Sequence, residues 1–222
     1  MFHFLHYYAR FLLFIWAELP LYFLRKGQMK MGLRAFLSEI ASYAFLTAMT
    51  WLNPRASVFV LLIPFAILRF ALMVGNWGQH ALVDEVDPDS DFRSSITLID
   101  VSVRPSPVFT NDSMLTSRQS NRFCFNDGYH TAHHLNPRRH WREHPVHFLQ
   151  SKAAYRDGRA LVFHDIDYLM MTIQLLRKDY MYLAARLVPM GEQIGMSQVE
   201  IAEMLRRKTR AFTEEEIRRK FK

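Results

Sequence analysis

The sequence has a single cysteine, Cys124, among its 222 residues. One thiol cannot close an internal disulfide, so the chain suits a reducing, cytosolic face. It has no Gly-x-Ser-x-Gly elbow and no phosphate-cradling glycine loop, which removes the common hydrolase and nucleotide-binding signatures. No His-Glu-x-x-His is present, so a zinc hydrolase would lack its general base. Zinc-finger, RNP and helix-turn-helix patterns are also missing. The net charge of +7 is therefore assigned to an anionic membrane surface rather than to nucleic acid. No basic segment precedes the apolar N-terminus and no small-residue cleavage site follows it, so a secretory signal is not expected. Internal repeats and low-complexity tracts are absent.

Hydrophobic residues make up 50% of the chain, with 18 Phe and 12 Met. They are unevenly spread: residues 1–75 are strongly apolar, and residues 84–222 are mostly polar and charged. Residues 1–24 carry Arg10, Glu18 and Pro20, each unfavourable at mid-membrane, so residues 1–34 are expected to form an apolar segment lying in the interface. Residues 35–52 and 56–75 are each about long enough to cross the hydrocarbon core. Asn53-Pro54-Arg55 between them is a turn signal, and the pair predicts a transmembrane helical hairpin over 35–75. Arg69 lies near the end of the second span, where its side chain can snorkel. Arg25, Lys26, Lys30 and Arg34 precede the first span, so the positive-inside rule puts both outer ends of the hairpin in the cytosol.

Residues 76–164 are then a cytosolic, histidine-rich region, and residues 165–222 a C-terminal helical region. The fold class expected is all-α: a hairpin with an interfacial helix, followed by a mainly helical histidine-rich cap. Ile96 to Val103 fits a short strand or a helix. Residues 165–188 read as helical, and Ser197 with Glu200 reads as a capping box.

The chemistry lies in the histidines. On a helix His130, His133 and His134 of His130-Thr131-Ala132-His133-His134 occupy i, i+3 and i+4 and share one face. Imidazole is a good ligand for iron or zinc. Asn76 and His80, also i and i+4, stand at the end of the second span, where a polar pair is costly without a role. Asp127 is a candidate for orienting an imidazole, as acids beside metal-bound histidines do, although Asn126-Asp127-Gly128 is equally a turn. His140, His144 and His147 spell a further histidine run, with Pro145 set to disturb a helix through it. His3, His6 and His164 read as packing or surface residues, and Cys124 as a small apolar filler.

The ordered pair, Asn76-x-x-x-His80 at a span end and His-x-x-His-His about 50 residues later, resembles the membrane-bound fatty acid desaturase family. That resemblance implies an oxidoreductase with a di-iron centre. His80, His130, His133 and His134 would be iron ligands, and Asn76 would hold an iron-bound water; no catalytic residue is implied beyond this metal site. It also implies O2, a membrane lipid or acyl-CoA substrate, a cytochrome b5 or ferredoxin type electron donor, and residence in the endoplasmic reticulum with the histidines facing the cytosol. The family's two earlier boxes, HxxxH and HxxHH, do not precede residue 76. The expectation is therefore the C-terminal part of such an enzyme. A degenerate homologue, or a rearranged site completed by His140, His144 and His147, are the alternatives. A lipid hydroxylase or ketolase on the same scaffold and a non-catalytic membrane-anchored protein are the rival functions.

Overall fold

The computed structural model describes residues 2–13, 18–99 and 120–220. Two compact units emerge, Met1–Trp77 and Gly78–Lys222.

The first unit is helical: α1 (Phe2–Leu13), α2 (Leu19–Arg25), α3 (Met29–Leu52), α4 (Pro54–Ser57), a π-helical stretch (Val58–Leu62), and α5 (Ile63–His80), whose last three residues count with the second unit. The turn signal at 53–55 is realised with one residue to spare. Asn53 ends α3 through its N–H to the Met49 carbonyl, and its side chain accepts from Ala56 N at 3.1 Å, capping the next helix. Pro54 follows at the first helical position, where its missing N–H costs nothing. The result is two helices apolar enough to cross a membrane, Met29–Leu52 and Pro54–His80. At 1.5 Å per residue they measure about 36 and 40 Å, against a hydrocarbon core of about 30 Å.

Helix α3 starts at Met29, six residues before the span predicted at residue 35. Lys30 and Arg34 are tolerated in its first turns because long basic side chains reach back to water. Phe36, Ile40, Trp51, Phe59, Ile67 and Leu68 are all exposed. An apolar surface that continuous is stable only against hydrocarbon. Arg69 sits with its guanidinium 4.3 Å from the Phe65 ring centre.

The second unit adds β1 (Ile96–Ile99), α6 (Ser120–Phe123), α7 (His130–Leu135), a 3₁₀ turn (Trp141–Glu143), α8 (His144–Gln150), α9 (Lys152–Asp157), β2 (Leu161–His164), α10 (Tyr168–Arg177), α11 (Tyr180–Ala184), β3 (Leu187–Val188), a second 3₁₀ turn (Gly191–Gln193), α12 (Gln198–Lys208) and α13 (Glu214–Lys220). The mainly helical class holds, with one small sheet inside it. Its order is β1-β2-β3, with β1 parallel and β3 antiparallel to β2. Ile96 opens a strand rather than a helix; the remainder of the 96–103 segment lies outside the described residues.

The stretch 165–188 is not one helix. Lys178 adopts φ 59° and closes α10, Asp179 caps α11 through Tyr182 N at 3.0 Å, and Leu187 pairs with Phe163. An Asp cap outcompetes helix continuation because its carboxylate satisfies N–H groups the helix would leave unpaired. The capping box of Ser197 and Glu200 forms at the start of α12, and α13 follows it. Tyr129, Ala132, Phe148, Tyr155, Ala160 and Val162 form a core under the sheet.

One buried ion pair ties the segment after α5 to α12. Lys208 Nζ donates to Asp84 Oδ2 at 2.6 Å, with both side chains 8% exposed, and to the Arg93 carbonyl at 2.9 Å. Arg93 also reaches Asp84 Oδ1 at 3.0 Å. Burial alone would raise the Asp84 carboxyl, but the Lys208 ammonium and the backbone N–H groups of Asp87 and Val86 outweigh it and hold it below 3.8. The pair is asymmetric. Without Lys208, Asp84 keeps Arg93; without Asp84, Lys208 is a buried cation left with the Arg93 carbonyl and only the weaker influence of Glu85. Asp84→Leu should therefore cost about 3–5 kcal/mol and Lys208→Met clearly less, measured by denaturant unfolding in detergent. Because the folded carboxyl titrates below the unfolded one, this contribution is complete above the unfolded value of 3.8 and is lost as pH falls through the lower folded value.

Candidate metal centre

Helix α7 consists of His-Thr-Ala-His-His-Leu, and its orientation is set by its two small residues. Ala132 is fully buried in the core, and Thr131 is buried with its hydroxyl 2.9 Å from Ser95 Oγ. With these against the β1 side, the imidazoles at 130 and 134 are directed to the other face. The chain entering α7 is clamped to β1. Leu98 N donates to the Gly128 carbonyl at 2.7 Å, Gly128 N donates to Asn121 Oδ1 at 2.9 Å, and Asn121 Nδ2 donates to the Leu98 carbonyl at 2.8 Å. A Cβ on Gly128 would lie 2.1 Å from Asn121 Oδ1 and 2.9 Å from the Leu98 carbonyl oxygen. Only glycine fits here. At the end of α5, Gly78 likewise leaves room for Thr172 of α10, whose hydroxyl would lie 2.2 Å from an added Cβ.

His80, His130 and His134 converge. His130 Nε2 lies 3.0 Å from His80 Nε2 and 3.1 Å from His134 Nε2, and one ring nitrogen from each lies within 4.8 Å of the others. The ring centres stand 4.7–5.0 Å apart. Neighbouring nitrogens bonded to one ion at ~2.1 Å stand roughly 3 Å apart, so the spacing is that of a ligand set. His130 is buried, and its Nδ1 has no hydrogen-bond partner. Burial first, then the nearby His80, His134, His133 and His144, push its pKa down to about 2. It is a neutral imidazole, the form that binds metal. His134 Nδ1 stands 3.2 Å from Asp91 Oδ1. Nε2 is turned to the cluster, so the carboxylate lies on the far side of the ring from it, where acids beside metal-bound histidines are found. The donor set fits a transition-metal ion.

The other candidates from the sequence are placed differently. His133 is exposed, with its ring centre 5.9 Å from that of His130 and 6.4 Å from that of His144. Asn76 belongs to the first unit, where the Tyr7 hydroxyl donates to its amide oxygen. Asp127 accepts from Gln79 Nε2 at 3.1 Å. Beside it the half-buried Tyr168 hydroxyl is pushed up, first by burial and then by the Asp127 charge. The carboxylate on an imidazole is Asp91's instead. Sequence spacing gave no sign of this, since Asp91 lies in an acidic turn 39 positions before the box.

His140 is occupied: its Nδ1 accepts from Arg142 N at 3.3 Å and its ring packs on Trp141. His147 lies 3.2 Å from the Ser151 hydroxyl. His144 is buried at the first turn of α8, where Pro145 begins the helix rather than breaking it. His164 pairs with Asp165 at 2.9 Å, and Cys124 Sγ lies 3.7 Å from the Tyr168 hydroxyl.

Two substitutions separate scaffold from ligand support. Gly128→Ala should cost about 1–3 kcal/mol of stability by overpacking the clamp, read by denaturant unfolding. Asp91→Ala should leave stability within about 0.5 kcal/mol, because its pair with His134 is half-exposed, yet weaken metal binding about 10–100-fold in a competition titration.

A family model described as "Fatty acid desaturase" matches residues 1–165, which take in both candidate spans and every histidine named above. No curated protein and no solved structure matches the chain.

Proposed function

The chain belongs to the fatty acid desaturase family, and from that premise we propose that it takes part in O2-dependent insertion of a double bond into a membrane acyl lipid. Family membership and the two apolar helices support reading it as a membrane protein of oxidoreductase kind. The observation that carries the finer proposal is the meeting of His80, His130 and His134 at their Nε2 atoms, 3.0 and 3.1 Å apart, at the end of an apolar helix long enough to span the bilayer.

These three imidazoles would hold one iron, with His133 serving a second. Iron, when bound, supplies the activation of O2 needed to take hydrogen from an unactivated acyl C–H. The protein's own groups do the rest. His130 stays neutral and so keeps a lone pair available, while Asp91, 3.2 Å from His134 Nδ1, would orient that ring. The apolar surface of α3 and α5 suits the bilayer, in which an acyl chain resides. The electrons come from a partner of cytochrome b5 or ferredoxin type, and the basic residues of α12 and α13 offer an acidic donor a complementary surface. The histidines face the cytosol and the membrane is that of the endoplasmic reticulum.

The chain supplies four of the family's histidine ligands, and the HxxxH and earlier HxxHH boxes are proposed to lie in sequence upstream of this chain. Activity is therefore to be tested with that upstream sequence joined to it. Expressed in a host supplied with labelled acyl lipids, that protein should yield an alkene product, and His134→Ala should reduce it by at least about 10³-fold through loss of the metal. A hydroxylated lipid in place of the alkene would mean a hydroxylase on the same scaffold. No product, with metal content unchanged by His134→Ala, would leave a non-catalytic membrane protein.

A further inference from the structure

The first unit carries a feature that the metal centre does not use, a groove between α2 and α3. Gly27, at φ 70°, turns the chain between the two helices. Gly32 lets them approach closely: a Cβ there would lie 3.2 Å from the Leu24 side chain and 3.2 Å from the Pro20 carbonyl oxygen. Beside this contact lies a groove of about 600 Å³, within the roughly 300–1,000 Å³ of sites that hold small molecules. Its wall is apolar. Leu21 and Leu24 come from α2, and Met29, Leu33 and Phe36 from α3. The last three stand at i, i+4 and i+7 and share one face. All five are exposed. One charged side chain joins them, that of Lys30.

The charge around the groove has one sign. Residues 19–38 hold Arg25, Lys26, Lys30 and Arg34 and no acid. The nearest carboxylates along the chain are Glu39 and Glu18, and Glu18 is already paired with Arg10 at 2.9 Å. Lys26 stands 5.9 Å from the centre of the Tyr22 ring. Lys30 has neither a ring nor a carboxylate as partner among the described residues. Arg34, four positions on, lies on the same side of α3.

We propose that this groove holds an anionic glycerophospholipid from the leaflet at this end of α3, with an acyl chain along the apolar wall and the phosphate against Lys30 and Arg34. A water-soluble anion would leave the wall uncovered. A neutral lipid would leave Lys30 without a counter-charge. Another membrane helix could cover the wall, but an acidic residue placed to meet Lys30 is costly on such a helix. An amphiphile with a negative head satisfies wall and charge together, and basic residues beside a span attract such lipids. The proposal rests on reading α3 as a membrane span and not on the histidine cluster.

The test uses the full chain reconstituted into phosphatidylcholine nanodiscs with and without phosphatidylserine. Lipid kept on transfer to mild detergent is then identified by mass spectrometry. The intact chain is expected to keep phosphatidylserine in preference to phosphatidylcholine. Lys30→Gln should weaken phosphatidylserine binding about fivefold, the effect of removing one cation near a charged membrane surface. Leu33→Trp should obstruct the groove and release the lipid although every basic residue is kept. Both positions are exposed, so the variants keep the fold. Lys152→Gln, at an exposed basic residue of the second unit, should change nothing. Equal retention of the two lipids, or phosphatidylserine binding unchanged in either Lys30→Gln or Leu33→Trp, would overturn the proposal. A loss as large in Lys152→Gln as in Lys30→Gln would overturn it in favour of diffuse attraction to the whole basic surface. Each of these outcomes leaves the membrane reading standing. Release of the chain from membranes by an alkaline carbonate wash would sink that reading and the proposal with it.

Discussion

The arrangement turns on the meeting of one imidazole from the end of a membrane-length helix with two from a six-residue helix about fifty positions later. His80, His130 and His134 come within 3.0–3.1 Å at their ring nitrogens, and a buried cluster of that kind is unfavourable by itself. Neutral imidazoles satisfy one another poorly, and the His130 Nδ1 is left without a partner. Such a cluster persists only because its supports are over-determined. Thr131 and Ala132 are locked against the sheet side, and Gly128 is stitched to β1 and Asn121. The two faces of α7 are thus assigned opposite tasks, one to packing and one to ligation, within a single helical segment too short to be stable alone.

The same logic extends outward. The small sheet gives α7 a rigid floor, and β1 and β2 carry it through the core of Tyr129, Phe148, Tyr155 and Val162. The buried Asp84–Lys208 pair fastens the segment following α5 to α12. The C-terminal helices therefore contribute to holding the cap together, although no histidine lies on them. Asp91 stands 3.2 Å from the second nitrogen of one of these rings.

Much of this was legible in the sequence, because the signals were periodic or strongly punctuated. The hairpin, the Asn53 turn and the capping box at Ser197 follow from apolar run length and cap chemistry. The shared face of His130 and His134 follows from helical spacing, whereas His133, expected on the same face, is exposed and stands apart from the cluster. What could not be read depends on long-range contact. Asp91 reaches His134 across 43 positions, a pairing no local window contains. The strand at Ile96 is set by parallel pairing to Leu161. The break at Lys178 and Asp179 looked like continuous helix, since the apolar pattern runs through it and only the cap overrides it. His144 was read with His140 and His147 as one run, yet packing separated them, leaving His144 buried and the other two nearer the surface.

The central claim is that these histidines hold iron through their nitrogens. X-ray absorption at the iron edge, on the full chain loaded anaerobically with Fe(II), tests it most directly. The account predicts a first shell of nitrogen or oxygen scatterers near ~2.1 Å, with the outer-shell scattering of at least three imidazole rings per cluster-bound iron. A shell of oxygen atoms alone, without imidazole scattering, would contradict it.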